Sequence, residues 1–122
     1  MAAPNILSAT SIYGKTVGAA LGTTLTTSLL ANASGSNKVL KINSIIVANV
    51  DGTNAADVSV EFYNGSTAYR IASTVSVPAD STLVILGKDS PIYLEENHSI
   101  RGGAGAASDL EIIISYDELD DA

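Results

Sequence analysis

Apolar and polar residues alternate along most of this chain with a period of two, and no stretch sustains a helical period. In Asp57-Val58-Ser59-Val60-Glu61-Phe62-Tyr63, Val58, Val60 and Phe62 fall on one side and Asp57, Ser59 and Glu61 on the other. An extended backbone sends successive side chains to opposite faces, so this pattern predicts a half-buried strand. The last apolar run repeats it: Leu110, Ile112, Ile114 and Tyr116 point one way, Asp109, Glu111 and Ser115 the other. Ile113 interrupts the polar side, which predicts that part of that face meets another surface.

Further strands are expected over residues 11–17, 24–30, 39–50, 69–77, 82–86, 92–94 and 99–102. The run 39–50 is the most apolar, with Ile45, Ile46 and Val47 consecutive, and it predicts a central strand covered on both faces. Val17-Gly18-Ala19-Ala20-Leu21 fits one helical turn, but Gly18, Gly22 and the threonines that follow favour strand or extended loop. Asp51-Gly52 and Asn64-Gly65 tolerate positive φ and favour tight turns. Asn64-Gly65 lies between two alternating runs, so 57–77 reads as a β-hairpin. Pro78-Ala79-Asp80 separates two strands, because proline cannot donate to a ladder. Residues 32–37 form a Ser/Gly/Asn loop, and Gly102-Gly103-Ala104-Gly105 reads as a flexible connection or turn.

Eight or nine short antiparallel strands spaced by about ten residues predict an all-β fold, a jelly-roll-like β-sandwich with a small barrel as the alternative. The 122 residues suit one β domain over 1–122. Residues 1–10 contain Pro4 and no strand pattern. They are expected to form an extended N-terminal arm that orders on a neighbour, or else a disordered tail. Residues 117–122 read as an acidic, frayed C-terminal tail.

Composition narrows the function. With 46% hydrophobic and 16% charged residues, the chain matches neither a disordered nor a membrane-spanning protein. Tryptophan is absent and there is one Phe, so the core must come from Val, Ile and Leu with a few tyrosines. The net charge of −7 and the scatter of Lys15, Lys38, Lys41, Arg70, Lys88 and Arg101 argue against nucleic acid as a partner. Acidity then serves solubility. Without cysteine there is no disulfide, thiolate metal site or cysteine nucleophile. Met1-Ala2-Ala3-Pro4-Asn5 lacks a basic leader, and no segment approaches the ~20 apolar residues of a membrane span. No membrane partner is expected, and synthesis in a cytoplasm is.

Candidate chemistry is sparse. The single histidine, His98, follows Glu95-Glu96-Asn97; it has no partners for a metal site or a triad and reads as an exposed turn residue. Glu95 and Glu96 are adjacent, so in a strand they face opposite ways and cannot share a substrate. Asp51-Gly52-Thr53-Asn54 and Asp117-Glu118-Leu119-Asp120-Asp121 offer oxygen donors, but neither has the spacing of a Ca²⁺ loop. The glycines of 102–105 lack the Lys and Ser/Thr of a phosphate loop. We therefore expect no catalytic, cofactor-binding or metal-binding residue, no cofactor and no enzymatic activity.

Four segments carry a resemblance through their order: Ser11-Ile12-Tyr13-Gly14-Lys15; Lys41-Ile42-Asn43-Ser44-Ile45-Ile46-Val47-Ala48-Asn49-Val50-Asp51-Gly52; Ser76-Val77-Pro78-Ala79-Asp80-Ser81-Thr82-Leu83-Val84-Ile85-Leu86, running into Ile92-Tyr93-Leu94-Glu95-Glu96; and Asp109-Leu110-Glu111-Ile112-Ile113-Ile114-Ser115-Tyr116-Asp117-Glu118. Together they resemble small virion structural proteins of tailed bacteriophages, particularly marine and cyanobacterial phages. The resemblance implies a non-enzymatic virion protein, foremost a capsid decoration or cement protein on the outside of the major capsid protein shell. It implies a homo-oligomer as well, with a trimer as the natural guess. A neck, tail or fibre component is the alternative, and a carbohydrate- or calcium-binding β-module a second. A binding module predicts a concave patch clustering Tyr63, Tyr69 and Tyr93 with asparagines. A cement protein predicts a broad flat surface with apolar residues such as Ile113 on an outer face.

Overall fold

A computed structural model describes residues 9–120. Its strands are β1 (Ser11–Ala20), β2 (Ser28–Ala31), β3 (Lys38–Asn49), β4 (Ala56–Tyr63), β5 (Ala68–Val77), β6 (Thr82–Leu86), β7 (Ile92–Leu94), β8 (Ser99–Ala104) and β9 (Leu110–Asp120). They form two antiparallel sheets. Sheet A runs β1-β9-β3-β6, with β7 also on β3, and sheet B runs β2-β8-β4-β5. The sheets stay separate, so the fold is the sandwich and not the barrel.

The pairings are nested. β4 pairs with β5, β3 with β6 and β7, β2 with β8, and β1 with β9. β6 and β7 lie end to end along β3, opposite 45–48 and 40–42, and act as one strand interrupted by the turn at Gly87–Ser90. Counted so, the described residues form an eight-stranded jelly roll, one long hairpin folded over into two sheets.

The core is aliphatic. Ile42, Ile45, Val47, Val58, Val60, Val77, Leu94, Ile100, Leu110, Ile112 and Ile114 are essentially without exposure, and no tyrosine lies fully in it. Val58 and Val60 point inward as their alternation predicts. β3 departs from its prediction: it is central, but only one face enters the core. Inward positions are Leu40 and Ile42, then Ile45, Val47 and Asn49, because the register with β9 shifts between Ile42 and Ser44. That bulge moves the alternation by one residue, so a run that reads as apolar on both faces is two phases of a one-sided pattern.

Other departures are local. Strand extends through 17–20, while 22–27 form a loop with a turn from Thr24 to Thr27. β9 continues through Asp117–Asp120, paired with β1 and β3, instead of fraying as a tail: two flanking strands satisfy its backbone. The arm expected over 1–10 falls outside the described residues up to Ser8, and Thr10 bonds the Asp120 carbonyl at 2.9 Å. The Asn64-Gly65 hairpin forms, with Asn64 Oδ1 accepting from the N–H groups of Ser66 and Thr67 and Gly65 at φ +94°.

Thr74 sits at φ +53°, a left-handed conformation that disfavours a β-branched residue. It lies where the β4–β5 register shifts, held by Thr74 N–H donating to Ser59 Oγ at 2.9 Å. Thr74→Gly removes the Cβ penalty and should stabilise the fold by about 0.5–1 kcal/mol, after its greater loss of chain entropy. A lower urea midpoint for this variant would mean the site is not strained.

Candidate interaction surfaces

The outer face of sheet A carries a patterned surface. Directly opposed residues on neighbouring strands share a face, so the registers give its rows. Gly18, Ile113, Ile46 and Val84 form one row across β1, β9, β3 and β6. Thr16, Ser115 and Ser44 form the next, and Gly14, Asp117, Lys41 and Tyr93 another. Val84 is 61% exposed, Ile113 41% and Tyr93 41%. On β1 this face carries only Gly14, Thr16, Gly18 and Ala20 between Ile12 and the strand end, and a trough runs beside β9 along Gly18, Ala20, Glu111 and Ile113. The interruption read at Ile113 is thus an exposed apolar row.

The outer face of sheet B is ionic. Glu61, expected on the solvent side of β4, does point there but is only 3% exposed. Arg101 on β8 and Arg70 on β5 stand directly across from it and enclose its carboxylate. Arg101 Nε donates to Oε2 at 2.7 Å, Arg70 Nε lies 3.5 Å from Oε1, and the Arg101 guanidinium stacks 3.9 Å over the Tyr63 ring. A carboxylate between two guanidiniums satisfies its lone pairs without water. Glu118 is used similarly by Lys15 at 3.2 Å and Lys38 at 3.5 Å. Four of the basic residues that look scattered in sequence are therefore brought together in pairs, each pair on one glutamate.

At each end of the sandwich a buried asparagine ties the sheets together. Asn49, at the end of β3, donates to the carbonyls of Val77 on β5 (2.8 Å) and Asn54 (3.0 Å), while its Oδ1 accepts from Asp51 N–H. Asn32, just after β2, donates to the carbonyls of Lys38 (2.8 Å) and Leu94 (2.9 Å) and accepts from Ser36 Oγ. Sequence reasoning passed over both. For Asn49 the signal existed: it continues the inward alternation of Ile45 and Val47 immediately before a turn.

The residues singled out for chemistry do structural work. Asp51 Oδ1 accepts from Thr53 N–H at 2.8 Å and Oδ2 from the Asn54 amide at 3.3 Å. The Thr53 backbone bond first, then the Asn54 side chain, holds its carboxyl below the usual carboxylate range. The turn is therefore supported while Asp51 is ionised, and that support is lost as pH falls through its lowered pKa. Gly52 is not in the positive-φ region; the side-chain cap, not the glycine, sets this turn. Glu96 clamps the β2–β3 loop by accepting from the N–H groups of Gly35 and Asn37. His98 is half-buried, not exposed: its ring meets Phe62 edge-on at 5.1 Å, and its Nδ1 accepts from Glu95 N–H at 3.2 Å. Among the described residues no cluster of three or more His, Asp or Glu side chains is placed to hold a metal ion. Tyr63 and Tyr69 lie on sheet B and Tyr93 on sheet A, so the three form no common patch.

Neither a protein-family model nor a curated protein matches the chain. Among solved structures it is similar to a protein from work describing Bacillus endospore appendages as a novel family of disulfide-linked pili. The likeness has a TM-score of 0.49 and 16% identity, covering 92% of this chain and 90% of that one. Identity and superposition are both too low for it to carry an argument about function.

Proposed function

We propose that this chain is a non-enzymatic structural subunit that works by packing against protein neighbours, as a decoration or cement protein on the outside of a tailed-phage capsid. The observation that carries the reading is the outer face of sheet A, with Ile113, Ile46 and Val84 in one row and the first and last of them exposed. An exposed apolar row along a sheet face suits a broad protein contact better than a small ligand, which is enclosed by convergent polar and apolar groups. Asp51, Glu96 and His98 are engaged in turns and clamps, and Glu61 and Glu118 in ion pairs. The place on a capsid is supported by the sequence resemblance to phage virion proteins, with the major capsid protein as the partner. Many weak contacts repeated over a lattice would act together, each copy needing little affinity of its own.

Copy number and location in purified particles test this reading, by cryo-electron microscopy with quantitative mass spectrometry. Many copies spread over the shell lattice support the cement role. A few at one vertex move the protein to neck or tail, and absence from particles ends the virion reading. Ile113→Asp and Val84→Asp, both at exposed positions, should each weaken capsid binding at least about tenfold, or ~1.4 kcal/mol, if the apolar row is the contact. Their thermal unfolding should stay close to that of the parent. Undiminished binding by both would place the contact elsewhere.

A further inference from the structure

The four edges of the two sheets are treated unequally. β2 has four residues. β6 and β7 are separated by the Gly87–Ser90 turn and by Pro91. β5 is broken by two register shifts and the left-handed Thr74. These devices blunt an edge against pairing with another chain. β1 has none of them. It runs ten residues with an unbroken register against β9 and has no other strand partner among the described residues. It carries no proline, and its single charge, Lys15, reaches Glu118. Leu21 N–H donates to the Leu110 carbonyl at 2.9 Å, so by antiparallel alternation the odd-numbered positions of β1 bond β9. Ile12, Gly14, Thr16, Gly18 and Ala20 then carry their N–H and C=O groups on the open side.

We propose that β1 pairs antiparallel with β1 of a second copy of this chain about a two-fold axis at Thr16, joining two A sheets into one. Such an axis must pair residues of the same face, which limits the register. Centred on Thr16, the strand complements itself: Ile12 falls opposite Ala20 of the second copy, Tyr13 opposite Ala19, Gly14 opposite Gly18, Lys15 opposite Val17, and Thr16 opposite Thr16. Large residues meet small ones, and a threonine pair on the axis is a favourable cross-strand pair. Centred one residue earlier, the register sets Lys15 against Lys15 and is disfavoured. Every open N–H and C=O from Ile12 to Ala20 gains a partner, and the outer faces of the two A sheets become continuous. The contact is isologous and closes at two copies. It is distinct from a threefold arrangement and does not depend on the capsid reading.

The test uses the purified full chain. Light scattering with size exclusion should give about twice the 12.4 kDa of one chain. Thr16→Lys, which sets two lysines on the axis, should halve that mass while the circular dichroism spectrum stays that of a β fold. Since the chain has no cysteine, Thr16→Cys supplies a second readout. Opposed Cα atoms on a hydrogen-bonded antiparallel pair lie about 5.5 Å apart, within disulfide range. Thr16→Cys should oxidise largely to a covalent dimer, whereas Val84→Cys, at the opposite edge, should remain mostly monomeric. A monomeric parent, a dimer that survives Thr16→Lys, or equal cross-linking of the two cysteine variants would each overturn the proposal.

Discussion

Asn49→Ala should cost about 2–4 kcal/mol of folding stability, although it removes one small polar side chain and leaves no large cavity. Asn49 supplies both donors of its amide to backbone carbonyls, one of them on Val77, which is fully buried. Alanine leaves those carbonyls and the Asp51 N–H without these partners. A typical hydrogen bond contributes about 1 kcal/mol net, but an orphaned buried group costs a further 1–3 kcal/mol. With a urea slope of about 1–3 kcal/mol per molar, the midpoint should fall by roughly 0.7–4 M. Asn49→Asp is the sharper test. It keeps the shape but turns oxygens towards two carbonyl oxygens, and should be at least as damaging as alanine at neutral pH. Asn32, which bonds Lys38 and Leu94 across the sheets, should behave alike. A loss under about 0.5 kcal/mol in both alanine variants, the range of an ordinary surface substitution, would mean that apolar packing alone holds the sheets together.

How far the sequence disclosed this molecule depended on the range of the interaction behind each feature. Strands β6 and β7 lie at the residues their alternation marks, and the Asn64-Gly65 hairpin forms where the turn chemistry puts it, because both are decided within a few residues. The bulge in β3 escaped, since Asn43 looks ordinary until β9 is laid beside it and the phase of Ile42 and Ser44 is compared. Glu61 escaped for the same reason. Its place on the polar side of β4 was legible, but Arg70 and Arg101 come from strands nine and forty residues away in sequence, and only the sheet order β8-β4-β5 delivers them. Ile113 was legible as a break in a polar face. That it aligns with Ile46 and Val84 was not, because alignment is a property of register. Period and turn composition report the local chain, whereas a surface in a nested sandwich is assembled from strands that pair across as many as 109 residues, from Ser11 to Asp120.

The clearest disagreement between composition and packing lies at Gly102 and Gly103, and it yields the second large effect. Glycines in close succession read as a flexible connection; Gly102 also closes the strand expected over 99–102, and the structure carries that strand on through Gly103, both glycines lying inside β8, paired with β4. A Cβ on Gly102 would come within 2.8 Å of the Ser59 carbonyl oxygen and 3.2 Å of Leu29 Cδ1. On Gly103 it would meet the Thr24 and Gly22 carbonyls at 3.0 and 3.1 Å. These obstacles are mostly backbone, which cannot rotate away as a side chain can. The glycines are there because the 22–27 loop and β4 flank β8 closely on its two sides within the sheet, Gly22 and Thr27 accepting hydrogen bonds from Ala104 and Gly102 N–H. Gly102→Val should therefore cost about 3 kcal/mol by overpacking, and Gly102→Ala about 1–3 kcal/mol. Gly87 separates the two readings of glycine. Its φ is not positive and a Cβ there meets nothing within 4 Å, so Gly87→Ala should be neutral or stabilising by up to about 1 kcal/mol through the unfolded chain. If alanine at 102 proved as harmless as alanine at 87, β8 would be the compliant hinge that its composition suggests, and the close approach of β4 and the loop would not be what holds that sheet.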